Sequence, residues 1–189
     1  MHRSSRLING LLALAEAGNA AEEMCPVEVR EEVEKVLEDA AGRIKEKGIL
    51  VKVDDDLGIL TASPVHVYEL FSNLINNSVE HCDNEAPLIE VRKLGTDDKG
   101  HAFLVRDNGS GIPAENLDKI FMPFFKGETG GTGIGLSIVR RIIDTYDGEI
   151  KAYNDNGACF EFLIRDTHVE ASGRRRDGAG NDTPIDTGN

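Results

Sequence analysis

The sequence predicts an α+β domain, and three observations carry that reading. Apolar residues recur at helical spacing in several separate stretches. Apolar and polar residues alternate in shorter runs bounded by Gly, Asp and Asn. The later runs come as neighbouring pairs joined by turns, as antiparallel strands do.

Residues 3–17 open the chain as a helix, with Leu7, Ile8, Leu11, Leu12 and Leu14 forming a stripe that needs a partner surface. Gly18-Asn19 ends it. After a loop to Pro26, residues 27–46 form a second helix, with Val29, Val33, Val36, Leu37, Ala40 and Ile44 on one face and Gly48 as its stop. Ile49, Val51 and Val53 then alternate with Leu50, Lys52 and Asp54 as a strand, and a short strand is expected near Ile59-Leu60. Ser63 and Pro64 suit the N-cap and first position of a third helix. Its apolar positions Val67, Leu70, Phe71, Leu74, Ile75 and Val79 carry it to about Cys82.

Strands follow at 88–94 and 101–107, separated by the turn-rich segment from Gly95 to Gly100. Residues 108–134 are loop-dominated. A last helix spans Gly135 to Tyr146 and stops at Asp147-Gly148, and strands at 149–154 and 158–165 close a hairpin around the Asn154–Gly157 turn. From Ala171 onward Gly, Asp, Thr and the Arg174–Arg176 cluster show no apolar periodicity, and a disordered tail is expected.

The 189 residues suffice for one core of ordinary size. The net charge of -13 repels phosphate backbones, so nucleic acid is not an expected partner. No apolar run is long enough to span a bilayer, and Arg3 and Arg6 precede no signal-peptide core. The three cysteines, Cys25, Cys82 and Cys159, are widely spaced and odd in number, which suits reduced thiols in a cytoplasmic domain. The abrupt helical start reads as that of an excised fragment, with more of the natural protein expected upstream.

Three strings carry chemistry. Asn73, Asn77, Glu80 and His81 share one face of the third helix, with Leu70, Leu74 and Ile75 turned elsewhere. Asn is a poor helix former, and its amide oxygen is a hard neutral ligand suited to phosphate-bound Mg²⁺; the same face also reads as a solvated one. Asp107-Asn108-Gly109-Ser110-Gly111-Ile112-Pro113 follows a strand. A carboxylate there, beside bare backbone, can accept from an exocyclic amine such as adenine N6, or simply close a turn. Gly130-Gly131-Thr132-Gly133-Ile134-Gly135-Leu136-Ser137 opens the last helix, whose N–H groups and dipole suit phosphate. No strand directly precedes this string, so it is not a Rossmann fingerprint. A loop with Phe121, Phe124 and Phe125 around Pro123 precedes it instead. Lys126 follows as a point charge for phosphate or a solvated side chain.

In this order the strings resemble the catalytic domain of sensor histidine kinases, within the GHKL ATPase superfamily (the Bergerat fold). The N box matches at Asn73-Leu74-Ile75 and Asn77-Ser78, and the first G box at Asp107-Asn108-Gly109-Ser110-Gly111-Ile112. The F box matches at Phe121-Met122-Pro123-Phe124-Phe125, and the second G box at Gly131-Thr132-Gly133-Ile134-Gly135-Leu136-Ser137. The resemblance implies a two-layer α/β sandwich with a mixed, largely antiparallel sheet backed by helices and preceded by an N-terminal helix. It divides the chain into the close of a dimerisation hairpin with its linker (1–25), the catalytic domain (26–167) and the tail (168–189).

The resemblance further implies Mg-ATP as cofactor. Asn77 is then the metal ligand, Asn73 lies beside the phosphates, Asp107 receives adenine N6, Gly111 lies near the base, and Gly131, Gly133 and Gly135 border the triphosphate. The full implied cofactor set is Asn73, Asn77, His81, Asp107, Gly109, Gly111, Ile112, Phe121, Lys126, Gly131, Thr132, Gly133, Ile134, Gly135 and Leu136, with Asn73, Asn77 and Lys126 serving catalysis. The implied partners are ATP, a histidine-bearing dimerisation domain in cis or in trans, and a response-regulator receiver domain. The full-length kinase is implied to be a homodimer, with membrane attachment left open.

His2 lacks the acidic residue and Pro expected after an acceptor histidine, and His66, His81, His101 and His168 sit in other contexts. The expectation is a fragment that binds Mg-ATP without phosphorylating itself. Glu80 stands where many relatives carry a Lys, which puts weight on His81 and Lys126, and the lid between Phe125 and Gly131 is short. Two rivals remain. A hydrolytic GHKL ATPase carries a Glu base where this chain has Asn73, and an amide accepts no proton. A nucleotide-sensing pseudokinase, or a serine-directed anti-sigma relative, is the other, and Asn77 and Asp107 show no defect that would favour it.

Overall fold

The computed structural model describes residues 24–97, 100–126 and 133–166. The predicted helix at 3–17, the tail, and the predicted site residues Gly131 and Thr132 lie outside the described residues. In chain order the elements are β1 (Cys25–Glu28), α1 (Val29–Glu46), β2 (Leu50–Val53), β3 (Ile59–Ala62) and α2 (Pro64–His81). There follow β4 (Leu88–Asp97), β5 (Gly100–Asp107), a 3₁₀ turn at Ala114–Asn116, α3 (Gly135–Thr145), β6 (Glu149–Asn154) and β7 (Ala158–Ile164).

Five strands form one sheet in the order β2-β4-β5-β7-β6, and a two-stranded sheet pairs β1 with β3. Only β2 and β4 run parallel in the large sheet; its other pairings are antiparallel. The expected mixed, largely antiparallel sheet is therefore present. It is backed on one face by the helices, with α1 packed on α2 and α2 on α3.

Alternation along the strands sets this layering. Ile89 and Val91, Phe103 and Val105, and Phe160 and Phe162 all point inward and are buried. The next residues along point outward into ion pairs: Arg106 with Glu90 at 2.6 Å and Lys151 with Glu161 at 2.7 Å. Phe71 of α2 meets Phe103 and Phe162 edge-on at 5.8 and 5.7 Å, while those two stack on each other at 5.5 Å. Burying each ring contributes about 1.5–3 kcal/mol, which makes this trio the anchor of helix to sheet.

Two sequence expectations need correction and a third is refined. Val27 belongs to β1, opposite Leu60, rather than to α1. It directly precedes the stripe that begins at Val29, so the helix is read back to it, but its pairing with β3 places it in a strand. Gly95 lies not in a turn but at a bulge between Lys93 and Gly95, past which β4 runs on to Asp97. Ser63 occupies the N-cap position of α2, but its side chain makes no capping bond there. Its backbone N–H donates instead to the Tyr146 hydroxyl at 2.9 Å, which ties the start of α2 to the end of α3. Among the described residues no helix is long and apolar enough to cross a membrane.

Candidate functional site

The sheet and the helix layer part around a cavity of about 610 Å³, within the size range of small-molecule sites. Four segments meet there: the polar face of α2, the end of β5 with its following loop, the start of α3, and β7.

On α2 the inward stripe Leu70, Leu74 and Ile75 is fully buried, which fixes the rotation of the helix. That rotation turns Asn73, Asn77, Glu80 and His81 to the cavity, as their spacing predicts, together with Asn76. Asn73 donates from its amide to the Glu69 carbonyl at 2.8 Å, an i to i−4 bond that holds the side chain along the helix. The Asn77 side chain makes no hydrogen bond among the described residues, so its amide is available to a ligand.

Asp107 ends β5 and is only 2% exposed. One carboxylate oxygen, Oδ1, accepts from the Gly109 N–H at 3.0 Å and the Ala158 N–H at 3.3 Å. The other, Oδ2, is buried with no partner among the described residues, in a side chain that lines the cavity. A buried ionisable acceptor left unsatisfied is costly, and a ligand N–H would relieve it. The Gly157 turn makes this placement possible. With φ +138°, Gly157 passes so close beneath the strand end that a Cβ would lie 2.1 Å from the Asp107 carbonyl oxygen.

The start of α3 is built by close approach. Gly133 has φ +71°, and a Cβ there would fall 2.5 Å from the Phe125 carbonyl. Its own carbonyl accepts from the Phe124 N–H at 2.8 Å, fastening the phenylalanine loop to the helix entry. A Cβ on Gly135 would lie 2.8 Å from the Asn73 amide oxygen, so α2 and α3 touch at the cavity through bare backbone. Helix-start N–H groups at that seam suit an anion. Lys126 is exposed at the rim.

The structure thus brings Asn73, Asn77, His81, Asp107, Gly111, Ile112, Lys126, Gly133, Gly135 and Leu136 to one cavity. It does not bring Gly109, Phe121 or Ile134 to its wall. Gly109 packs on the end of α2, where a Cβ would meet the His81 carbonyl at 2.3 Å. Phe121 meets Phe160 edge-on at 6.5 Å, and Ile134 is buried in the core. These three support the wall from behind.

The sequence reading missed Asn76, Ser110, Pro113, Asn116, Ile120, Phe125, Ala158 and Phe160, which also line it. Ala158 and Phe160 arrive from β7, about fifty residues along the chain from Asp107, where no local signal marks them. Cys82 and Cys159 lie close behind the site, and burial pushes both thiols above their ordinary range.

Comparison with known proteins places these features among similar ones. Residues 62–168 match the family described as histidine kinase-, DNA gyrase B-, and HSP90-like ATPase. Over 171 residues the chain is 30% identical to cyanobacterial phytochrome B of Nostoc sp. (strain PCC 7120), covering 87% of this chain and 23% of that protein. It is 30% identical to the methanogenesis regulatory histidine kinase FilI of Methanothrix harundinacea, covering 86% of this chain and 19% of that protein. The chain therefore spans about a fifth of the length of these relatives. Among solved structures it resembles the nucleotide-free catalytic domain of histidine kinase ThkA, with a TM-score of 0.67 and 30% identity, over 76% of this chain and 96% of that one. It also resembles ThkA solved in complex with the response regulator TrrA, with a TM-score of 0.69 and 27% identity, over 86% of this chain and 48% of that one.

Proposed function

Because this chain belongs to the histidine kinase-, DNA gyrase B-, and HSP90-like ATPase family, we propose that it is the ATP-binding catalytic domain of a two-component sensor histidine kinase. The observation that carries the site assignment is Asp107, a cavity-lining residue whose buried Oδ2 oxygen lacks a donor among the described residues. Adenine offers an exocyclic N–H donor of the required kind. The residues present also fit the rest of Mg-ATP. Gly133 and Gly135 leave the seam between α2 and α3 free of side chains, and the Asn77 amide, without a partner among the described residues, is a hard oxygen donor for Mg²⁺. When bound, the metal would neutralise phosphate charge.

In this reading Asp107 fixes the base and Gly111 and Ile112 wall its pocket. Asn73 orients the phosphate chain, and Lys126 offsets negative charge developing on the transferred group. The γ-phosphorus forms a bond to a neutral imidazole nitrogen as its bond to the bridging oxygen breaks, and ADP leaves. The imidazole belongs to a dimerisation domain presented in cis or in trans, and a receiver domain takes the phosphoryl group next. The solved complex of ThkA with TrrA supports that last partner.

We place the kinase in the cytoplasm as a homodimer in its full-length form. Residues 1–25 would be the end of the dimerisation hairpin and its linker, 26–167 the catalytic domain and 168–189 a tail. Hydrolysis is disfavoured, because Asn73 is an amide already donating to Glu69 and cannot activate water as a base. Incubation with γ-labelled ATP and an added dimerisation fragment tests the proposal. Acid-labile label on that fragment is expected, whereas steady phosphate release with no labelled histidine would overturn it.

A further inference from the structure

The cavity is short of positive charge for the ligand assigned to it. Its lining carries two carboxylates, Glu80 and Asp107, against the ammonium of Lys126, with the His81 imidazole beside them. The chain around it has a net charge of -13. Mg²⁺ offsets only part of a triphosphate's charge, and Lys126 is the one ammonium among the described lining residues to offset the rest.

A cation outside the cavity lining comes from α1. Arg43 and Lys47, one turn apart, both face the second half of α2. With Glu46, Val79 and Glu80 they line a groove that shares Glu80 with the cavity. Lys47 is committed, donating to the Val79 and Glu80 carbonyls at 2.6 and 2.9 Å and so capping the last turn of α2. Arg43 is not. Its guanidinium donates to the Asn76 amide oxygen, a neutral partner, and among the described residues it forms no ion pair. Asn76 lines the cavity and is held from its other side, its amide donating to the Ser72 hydroxyl at 3.1 Å. A full positive charge therefore stands one amide away from the cavity wall, with no carboxylate bonded to it.

We propose that Arg43 is a positioning residue for the nucleotide: its charge, acting across Asn76, offsets Glu80 and favours triphosphate over diphosphate at this site. The proposal rests on the nucleotide reading of the cavity and names a cation that no string in the sequence marks. Arg43 is exposed on α1, so its replacement leaves the core untouched.

The test is titration of the whole chain with adenosine, Mg-ADP and a non-hydrolysable Mg-ATP analogue, for the wild type, Arg43→Gln, Arg43→Lys and the pair Arg43→Gln with Glu80→Lys. Arg43→Gln is expected to weaken the ATP analogue by about three- to tenfold, ADP less and adenosine not at all, with the gap narrowing as salt is raised. Arg43→Lys should return to near wild-type discrimination, and the double variant, one charge more positive than the wild type at these two positions, should match or exceed it. An equal loss for all three ligands would make Arg43 merely structural and overturn the proposal. So would no loss at all. If the wild type binds none of the three, the nucleotide reading fails and this proposal with it. Intact adenosine binding without an ATP-selective loss removes Arg43 alone.

Discussion

Asn154 at the end of β6 holds Ile112 by both backbone groups, accepting from its N–H at 2.9 Å and donating to its carbonyl at 2.7 Å. One side chain thus does for the loop after β5 what a strand partner would do, across 42 residues of sequence. Gly111, with φ +79°, is kept bare by the same amide, since a Cβ would lie 2.8 Å from the Asn154 oxygen. The loop walls the cavity, so its order depends on a residue outside the glycine-rich string.

Asn154→Ala should therefore free that loop. The expected result is nucleotide affinity lowered by about one hydrogen-bonded contact, roughly 0.5–1.5 kcal/mol, with faster amide hydrogen exchange at Gly111 and Ile112. Unchanged exchange there would show that the loop stands without Asn154.

Tyr146→Phe tests the tie between α2 and α3. The hydroxyl accepts from the Ser63 N–H at 2.9 Å and lies 3.0 Å from His66 Nδ1, in a site only 2% exposed. Its removal strips a buried N–H of this acceptor and should cost about 1–3 kcal/mol in chemical denaturation. A loss well below that range would mean that the tie contributes little.

Gly133→Ala combines a left-handed backbone with a Cβ directed at the Phe125 carbonyl. Strain of this kind costs on the order of 1–3 kcal/mol. Because Phe125 and Lys126 share the cavity wall with Gly133, nucleotide affinity should fall along with stability. Wild-type affinity in Gly133→Ala would show that the seam can move without harm.

Cys82 and Cys159 should resist alkylation in the native protein. Burial is the leading cause raising both thiols, which leaves little thiolate near neutral pH. Half-buried Cys25 should react first with maleimide, and the other two only as the chain unfolds. Prompt labelling of all three in native buffer would contradict the packing behind the site.

The legible parts of the fold were those whose signal is local. The stripe from Val67 to Val79 placed α2 and its polar face, and the alternation around Asn154–Gly157 placed the β6–β7 hairpin. Val27, two residues before the stripe starts at Val29, carries no local mark of a strand, and Leu60 opposite is what decides it.

The glycine-rich strings pointed to the right region but mixed two kinds of residue. Gly111, Gly133 and Gly135 line the cavity, while Gly109 and Ile134 serve packing behind it. Asn154, Asn76 and Phe160 were invisible because their roles depend on partners brought near by the sheet and helix layer. No spacing rule in a linear sequence reports those partners.

The most direct measurement compares Mg-ADP with Mg-IDP, which presents an acceptor where adenine carries its amine, in the wild type and in Asp107→Asn. The carboxylate should favour ADP. The substitution should cost ADP about 1.5–3 kcal/mol, roughly ten- to a hundredfold, while IDP affinity holds or improves. Equal affinities for both nucleotides in the wild type, or an Asp107→Asn variant that binds ADP as tightly as before, would mean that the buried Oδ2 does not read the base.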